Sequence, residues 1–195
     1  MSVRVVTPPA PVVTLEEAKQ HLIVDHDDDN SYIQVLTDAA TAWLDGPSGW
    51  LGRALGVQTL ELVTDRFGDG CRDWIELAFP PFIDVVSVKY IDRDGIETVM
   101  PADGYELALG QLRPSYGGSW PSPRCQSDAV RIQYRAGYGV APDYEINAAP
   151  DPVRVSILML VAQWYRTREP VAIGANVEQL PFAVEALLSP FRVFR

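Results

Sequence analysis

Residues 57–64, Val-Gln-Thr-Leu-Glu-Leu-Val-Thr, decide the fold class because their apolar and polar side chains alternate with a period of two. That alternation is typical of a β-strand with one buried face. Before this stretch, and again from Asp151 onward, apolar residues recur at helical spacing instead. Runs of strands that are separate from runs of helices predict an α+β fold rather than a doubly wound sheet.

The strand pattern continues to about residue 140 and defines a β-rich insert over residues 56–140. Asp94-Gly95 is a hairpin-turn signal, and Gly110 separates two further short strands. A loop rich in Pro, Gly and Ser covers residues 114–126. The strands are predicted at residues 57–64, 74–79, 85–91, 97–99, 105–109, 111–113 and 129–135.

Two helices are predicted before the insert, within residues 14–50. Thr14 and Glu17 form a capping box, in which each side chain satisfies a backbone N–H at the helix start. The second helix follows an acidic run and stops at Gly46-Pro47. Carboxylates favour the positive end of the helix dipole, so any aspartate of the run can cap this helix. The candidate cap residues are Asp25, Asp27, Asp28 and Asp29.

Two more helices are predicted within residues 151–188. Asp151-Pro152 is a helix start, and Ser189-Pro190 is a helix stop. Trp43 and Trp164 each lie on an apolar helix face. We therefore expect the helices before and after the insert to share one core.

These elements predict the organisation of the whole chain. An extended, Pro-rich arm covers residues 1–13, a single domain covers residues 14–188, and an extended C-terminal tail covers residues 189–195. The core of the domain is predicted to be a bundle of the two N-terminal and two C-terminal helices, with the β-rich insert between them.

The charge of the chain limits its partners. Its 195 residues include 26 acidic and 16 basic side chains, a formal net charge of −10. A surface that wraps nucleic acid needs clustered Lys and Arg, so that class is disfavoured. No apolar run approaches the ~18 residues of a membrane span, and the N-terminal residues lack the apolar core of a secretory signal. We expect a cytoplasmic protein without a membrane partner.

The acidic run at residues 25–30 also resembles the start of a calcium-binding loop. However, Asn30 and Leu36 stand at the positions where such a loop needs Gly and Glu. Helix capping is therefore the favoured interpretation, and no metal is predicted.

Catalytic chemistry finds little support in the sequence. The two histidines are His21 and His26, and neither follows a predicted strand. Cys71 and Cys125 lack metal-like spacing and are expected to be free thiols. The chain has no Gly-x-Ser-x-Gly elbow and no Gly-rich phosphate loop. We predict no catalytic residue and no cofactor.

Aromatic residues in two regions are suited to contacts with another protein. Trp120 lies in the loop at residues 114–126, where it either anchors the loop or serves as a peripheral contact. Phe191 and Phe194 follow the last helix, on a tail that cannot easily bury them in its own domain. We therefore expect the tail to bind a partner.

The first and last helical segments carry the most specific phrases. Residues 14–22 read Thr-Leu-Glu-Glu-Ala-Lys-Gln-His-Leu, and residues 187–192 read Leu-Leu-Ser-Pro-Phe-Arg. They resemble the Thr-Leu-x-Glu-Ala-Lys-x-His/Tyr-Leu and Leu-Leu-x-Pro-Tyr/Phe-Arg motifs of the head–tail connector (adaptor) family of tailed phages, which also occurs in phage-like gene transfer particles. Residues 46–50 and 82–84 depart from the family pattern. Further similar phrases lie at residues 27–33, 79–81, 85–90, 120–121, 134–139 and 165–168.

The resemblance implies a structural, non-enzymatic protein of the particle neck, made in the cytoplasm of a bacterial host. Connectors of this family form a ring, typically a dodecamer, beneath the portal protein, where they extend the DNA channel and carry the tail or a stopper protein. DNA contact is then limited to non-specific passage. The implied portal-binding residues are Pro190, Phe191, Arg192, Val193, Phe194 and Arg195. The acidic residues Asp25, Asp27, Asp28 and Asp29 become candidates to line the channel, because negative walls repel phosphate.

Two other functions remain open. One is a tail-completion or neck protein of the same particle, which would also be acidic and oligomeric. The other is a small cytosolic hydrolase, which needs a deep pocket that holds His21 or His26.

Overall fold

The computed structural model describes residues 1–68, 73–139, 149–167 and 182–194. The helices in these ranges are α1 (Leu15–Leu22), α2 (Asn30–Leu44), α3 (Asp151–Arg166) and α4 (Phe182–Leu188). The strands are β1 (Ser2–Thr7), β2 (Gln58–Thr64), β3 (Ile75–Glu76), β4 (Phe82–Ile91), β5 (Glu97–Met100), β6 (Tyr105–Ala108), β7 (Gln111–Pro114) and β8 (Val130–Ala136). None of these helices is long and apolar enough to cross a membrane.

The chain divides into two compact units. The β unit comprises Met1–Pro9 and Val57–Gly137, and the helical unit comprises Ala10–Gly56 and Tyr138–Arg195. The sequence assigned the β-rich residues to an insert within one domain and the first thirteen residues to a separate arm. In the structure the β-rich residues form their own unit, and β1 belongs to it because it pairs with β2.

Two antiparallel sheets make up the β unit. The larger sheet has the strand order β1-β2-β8-β4-β5, and the smaller has the order β3-β7-β6. Every neighbouring pair of strands is antiparallel. The predicted combination of helices with a separate run of strands is thereby confirmed. One face of the larger sheet is apolar, and its fully buried side chains include Leu60, Leu62, Val88, Ile132 and Tyr134.

The opposite face of the larger sheet is polar. Arg4, Glu61 and Gln133 lie side by side on β1, β2 and β8. Arg4 Nε donates to Glu61 Oε2 at 2.7 Å, and Gln133 Nε2 donates to Glu61 Oε1 at 3.0 Å. Burial alone would raise the pKa of Glu61, but these hydrogen bonds and the charges of Arg4 and Arg131 outweigh it and lower that pKa below its ordinary value.

The strand predicted at residues 74–79 is shorter than expected, since only Ile75–Glu76 pair as β3. The Leu77 N–H still donates to the Gly110 carbonyl at 2.9 Å. Phe79 then takes a left-handed φ of 63°, which turns the chain out of the strand.

One apolar cluster forms the core of the helical unit, and all four helices contribute to it. Its buried helical members are Ala18, Ile33, Ala40, Leu44, Val153, Ile157, Leu160, Val161, Val184 and Leu188. Val12 and Val13, which the sequence assigned to the extended arm, are also buried in this cluster. The arm prediction is therefore wrong for these two residues, because their side chains have apolar partners within the helical unit.

The capping box predicted at the start of α1 is confirmed. The Glu17 N–H donates to Thr14 Oγ1 at 3.1 Å, and the Thr14 N–H donates to Glu17 Oε2 at 2.9 Å. Glu17 Oε1 also accepts a hydrogen bond from Arg154 of α3. One carboxylate thus caps α1 and joins it to α3.

Trp43 of α2 and Trp164 of α3 contact each other. Their ring centroids are 5.9 Å apart, and the ring planes are tilted by 34°. Both side chains are partly buried, whereas their neighbours Leu44 and Leu160 are fully buried. The tryptophan pair therefore packs against the apolar cluster without being fully enclosed by it.

Candidate functional site

The segment that follows α4 is the predicted partner-binding tail, and it folds back onto its own unit. Ser189–Phe191 forms a 3₁₀ turn, and the Arg192 N–H donates to the Ser189 carbonyl at 3.3 Å. The Val193 N–H then donates to the Leu51 carbonyl at 2.9 Å. The prediction of a free tail is therefore wrong as far as Val193. Arg195 lies outside the described residues.

The connection between α2 and β2 holds this segment. Arg53 Nε donates to the Phe191 carbonyl at 2.9 Å, and Arg53 Nη1 donates to the Tyr138 hydroxyl at 3.3 Å. Gly52 lies against Val193, because a Cβ at position 52 would stand 2.7 Å from the Val193 carbonyl oxygen. Phe191 itself packs against the apolar cluster. The tail prediction missed these contacts because they join residues far apart in the sequence, such as Arg53 and Phe191, which are 138 positions apart.

Arg192 contacts two aromatic rings. Its guanidinium carbon lies 4.1 Å from the centroid of the Trp50 ring and 4.8 Å from that of the Phe194 ring. Such contacts are favourable because the ring face is electronegative. Phe194 nevertheless remains 78% exposed. The segment therefore presents one anchored cation and one outward-facing aromatic side chain.

The predicted tail residues thus fall into two groups. Phe191, Arg192 and Val193 are partly buried within the helical unit, whereas Pro190 and Phe194 are exposed. Sequence reasoning missed the supporting residues Trp50 and Arg53. A usable signal was the presence of a tryptophan and an arginine among leucines and glycines just after a helix stop.

Most of the acidic run between α1 and α2 is exposed, including Asp25, Asp27 and Asp28. Asp27 Oδ1 accepts hydrogen bonds from Lys19 Nζ at 2.7 Å and from Asn30 Nδ2 at 3.1 Å. The hydrogen bond from Lys19 is the main cause that lowers the pKa of Asp27 below its ordinary value. Asp25, Asp27 and Asp28 therefore lie at the surface of the helical unit.

Asp29 occupies the N-cap position of α2, but its side chain does not cap the helix. Its backbone has φ −95° and ψ 3°, far from the extended conformation that lets a cap side chain reach the first turn. The carboxylate instead accepts a hydrogen bond from the Tyr165 hydroxyl of α3. The capping prediction is therefore wrong for Asp29, which joins α2 to α3.

The residues considered for catalysis or metal binding do not converge. His21 and His26 are both exposed, and His26 Nδ1 lies 3.9 Å from Asp28 Oδ2. Within the described ranges no group of three His, Cys, Asp or Glu side chains is arranged to hold a metal ion. Cys125 is a free, exposed thiol, and Cys71 lies outside the described residues.

Trp120 anchors its loop within the β unit. Its Nε1 donates to the Asp73 carbonyl at 2.8 Å, and its ring stacks on Phe67 with centroids 4.6 Å apart and planes 7° apart. Phe67 in turn contacts Tyr90, with ring centroids 5.9 Å apart. Of the two interpretations of Trp120, the structure favours the anchor, because the indole N–H and one ring face are already occupied.

Comparison with known proteins finds similar chains among solved structures. No family model matches the sequence, and no curated protein sequence matches it. The chain is similar to a chain in the neck of an empty GTA particle computed with C6 symmetry, and to one in the virion of a native gene transfer agent (GTA) particle. Each has a TM-score of 0.77 and 24% identity, and the match covers 100% of this chain and 97% of that chain.

A third solved structure, the neck of a native GTA particle computed with C12 symmetry, contains a similar chain. Here the TM-score is 0.70 and the identity 24%, with the same coverage of both chains. This chain therefore has the fold of a protein found in the neck of gene transfer agent particles.

Proposed function

We propose that this chain is a structural subunit of the neck of a tailed-phage-like particle, a head–tail connector of the adaptor type. The observation that carries the proposal is the extent of the structural match, which covers 100% of this chain and 97% of the neck chain at a TM-score of 0.77. Both units of the fold therefore take part in the match. The connector-type phrases at residues 14–22 and 187–192 support the same role.

The subunit is proposed to act in a ring of identical copies, and the family resemblance implies that this ring is a dodecamer. Similar chains occur in neck structures computed with C6 and C12 symmetry, which supports self-association into a ring. A closed ring uses one surface of each copy against a different surface of the next.

The C-terminal segment is proposed to bind the portal, through the exposed part of residues 190–195. Phe194 is the strongest anchor, since it is 78% exposed and its ring is held beside Arg192. Burying one such side chain contributes about 1.5–3 kcal/mol. In a ring that contribution repeats in each copy, so a weak single contact becomes a firm attachment.

The ring is also proposed to extend the DNA channel and to carry the tail or a stopper protein on its other side. The exposed carboxylates of Asp25, Asp27 and Asp28 suit a channel wall, because negative charge repels the phosphate backbone and lets DNA pass without being held. DNA is then a passing cargo and is not bound.

A non-enzymatic role agrees with the geometry of the candidate residues. A hydrolase of the serine–histidine–acid type needs a histidine in a cleft beside an acid and a nucleophile. Both histidines are exposed, and Trp120 and the C-terminal aromatic residues serve packing and stacking contacts. A tail-completion protein of the same neck is the second candidate, and its binding target, the tail tube rather than the portal, separates it from a connector.

The portal-binding proposal is tested by co-sedimentation with portal rings of the same particle. Phe194→Ala should lower the affinity for portal about tenfold or more, since it removes the main exposed anchor. Phe182→Ala is the matched control, because Phe182 of α4 is 79% exposed and lies outside the C-terminal segment. If Phe194→Ala bound portal rings with the affinity of the parent chain, the portal contact would have to lie on another surface. Binding to isolated tail tubes but not to portal would favour the tail-completion role.

A further inference from the structure

Both edges of the five-stranded sheet are open in the part of the chain that the structure describes. β1 forms one edge and β5 the other, and no further described strand pairs with either. Exposed branched side chains lie at both edges, Val5 and Val6 on β1, and Ile96 and Val99 at β5. Lys and Pro, which commonly protect such edges, are absent from both strands, although β1 carries Arg4 and a bulge after Val5, and β5 is only four residues long.

The outer edge of β5 has backbone groups free for pairing. The Asp92 N–H donates to the Ile96 carbonyl at 2.9 Å. This bond shows which residue pairs of the antiparallel strands β4 and β5 are hydrogen-bonded and which are not, because the two kinds alternate. Thr98 and Met100 then exchange hydrogen bonds with β4, whereas the N–H and C=O groups of Glu97 and Val99 point away from it. An added strand would find these donors and acceptors unoccupied.

The directions of the two edge strands limit how copies can join. Four successive antiparallel pairings separate β1 from β5, so the two edge strands run in the same direction. Neighbouring copies in a ring of twelve differ by a rotation of about 30°, which does not reverse a strand. An edge-to-edge joint within such a ring is therefore parallel.

We infer that, in the ring, β5 of one copy pairs in parallel with β1 of the next copy, so that the larger sheets of neighbouring copies are continuous. The inference rests on the proposed function, since it assumes the ring. It assigns the two surfaces that close the ring to opposite edges of one sheet, a head-to-tail contact of the kind that generates closed rings.

The two edge segments have the same number of residues, and their apolar and polar side chains lie on the same faces of the sheet. A bulge follows Val5 in β1, so Ser2–Val5 are its regularly paired residues, and they equal β5 in length. Val3 and Met100 lie on the apolar face, in one row with Leu62. Arg4 follows Val3 by one residue, and Glu97 precedes Met100 by three. Because both separations are odd, Arg4 and Glu97 lie on the opposite, polar face.

The register between the two copies is fixed if the four residues of β5 and the four regularly paired residues of β1 overlap fully. With Ser2–Val5 beside Glu97–Met100, Val3 stands beside Thr98 on the apolar face. On the polar face Arg4 stands diagonally across from Glu97, and these two side chains have opposite charges. A slip by two residues keeps each face matched and would put Val5 beside Thr98. A slip by one residue would set apolar side chains against the polar face.

The experiment uses the full chain carrying Cys71→Ser and Cys125→Ser, assembled on portal rings of the same particle. Thr98→Cys is combined with Val3→Cys, and separately with Val5→Cys, and each sample is treated with a short bismaleimide. We expect one of the two combinations to give a ladder of covalently linked copies on a denaturing gel. Each single-cysteine variant should give no ladder.

Three other results would overturn the inference. A ring on the portal without a ladder in either combination would show that another surface closes it, and would leave the proposed function standing. Linked dimers from Val3→Cys or Val5→Cys alone would show that two β1 edges pair about a two-fold axis. If the parent chain formed no ring on the portal or in solution, the proposed function and the inference would both fail.

Discussion

The guanidinium carbon of Arg192 lies 4.1 Å from the centroid of the Trp50 ring, which couples the C-terminal segment to the connection between α2 and β2. The same guanidinium carbon lies 4.8 Å from the centroid of the Phe194 ring. The direction in which Phe194 is presented to a partner therefore depends on a tryptophan far away in sequence.

Removing the charge of Arg192 should weaken portal binding while the fold is kept. Arg192→Met retains most of the aliphatic stem and loses a cation–π contact of about 0.5–1 kcal/mol. We expect portal affinity to fall about 2- to 5-fold, with a similarly small change in the urea midpoint. Arg166→Met, at the exposed end of α3, is the control. Equal affinities of the two variants would contradict a role of the Arg192 stack in presenting Phe194.

Gly52 is expected to be the most sensitive glycine near the C-terminal segment. Its φ is 62°, and a Cβ there would stand 2.7 Å from the Val193 carbonyl oxygen. Gly52→Ala should cost about 2–3 kcal/mol of unfolding free energy, from left-handed strain and from the displaced Val193 hydrogen bond to Leu51. Gly117→Ala is the control, because Gly117 has φ 75° and open space around it, so that it should cost only about 1–2 kcal/mol.

Urea unfolding of the two glycine variants checks this comparison. A cost for Gly52→Ala no larger than that for Gly117→Ala would show that Val193 does not pack against the α2–β2 connection in solution.

Several local features were predictable from sequence because neighbouring residues determine them. The capping box of Thr14 and Glu17 spans four residues, and the hairpin about Gly110 turns through two adjacent left-handed residues, Leu109 at φ 53° and Gly110 at φ 78°. The period of two over residues 57–64 likewise predicted the strand β2, although the structure buries residues on both of its faces. In each case the residues that decide the structure lie within one turn or one strand.

The features that were missed depend on contacts between distant residues. The pairing of β1 with β2 joins Ser2 to Val63, and the folding back of the C-terminal segment joins Phe191 to Arg53. The anchor interpretation of Trp120 was one of the two left open, because no local pattern indicates its partner ring, Phe67. Burial of Phe191 by its own unit likewise follows from tertiary packing, which a tail read in isolation cannot reveal.

The stability of the β unit should depend on pH through Glu61. Its folded-state pKa is lowered, so its contribution is complete above the unfolded-state pKa of about 4.3 and is lost as the pH falls through the lower folded value. We expect the unfolding free energy to fall as the pH drops from about 5 to about 3. Glu61→Gln should flatten this slope, whereas Glu106→Gln, an exposed substitution on β6, should leave it as in the parent.

Denaturant titrations at several pH values measure these slopes. A Glu61→Gln slope identical to that of the parent would show that the hydrogen bonds from Arg4 and Gln133 do not favour the charged carboxylate.

The contact between Trp43 and Trp164 should be measurable as a coupling energy. Trp164→Ala should cost about 3 kcal/mol, near the lower end for a tryptophan truncation because the side chain is only partly buried. Trp43→Ala and the double variant complete a double-mutant cycle, in which we expect a coupling of about 0.5–1.5 kcal/mol. Strict additivity of the two costs would show that the rings are not in contact in solution.

The central claim, that this chain is a neck connector, is tested most directly by electron cryomicroscopy of the chain mixed with portal rings of its own particle. We predict a closed ring of copies stacked coaxially on the portal, with the exposed Phe194 side chains at the contact between the two rings. Portal rings that remain bare while the chain stays monomeric, or while it binds only to isolated tail tubes, would contradict the account.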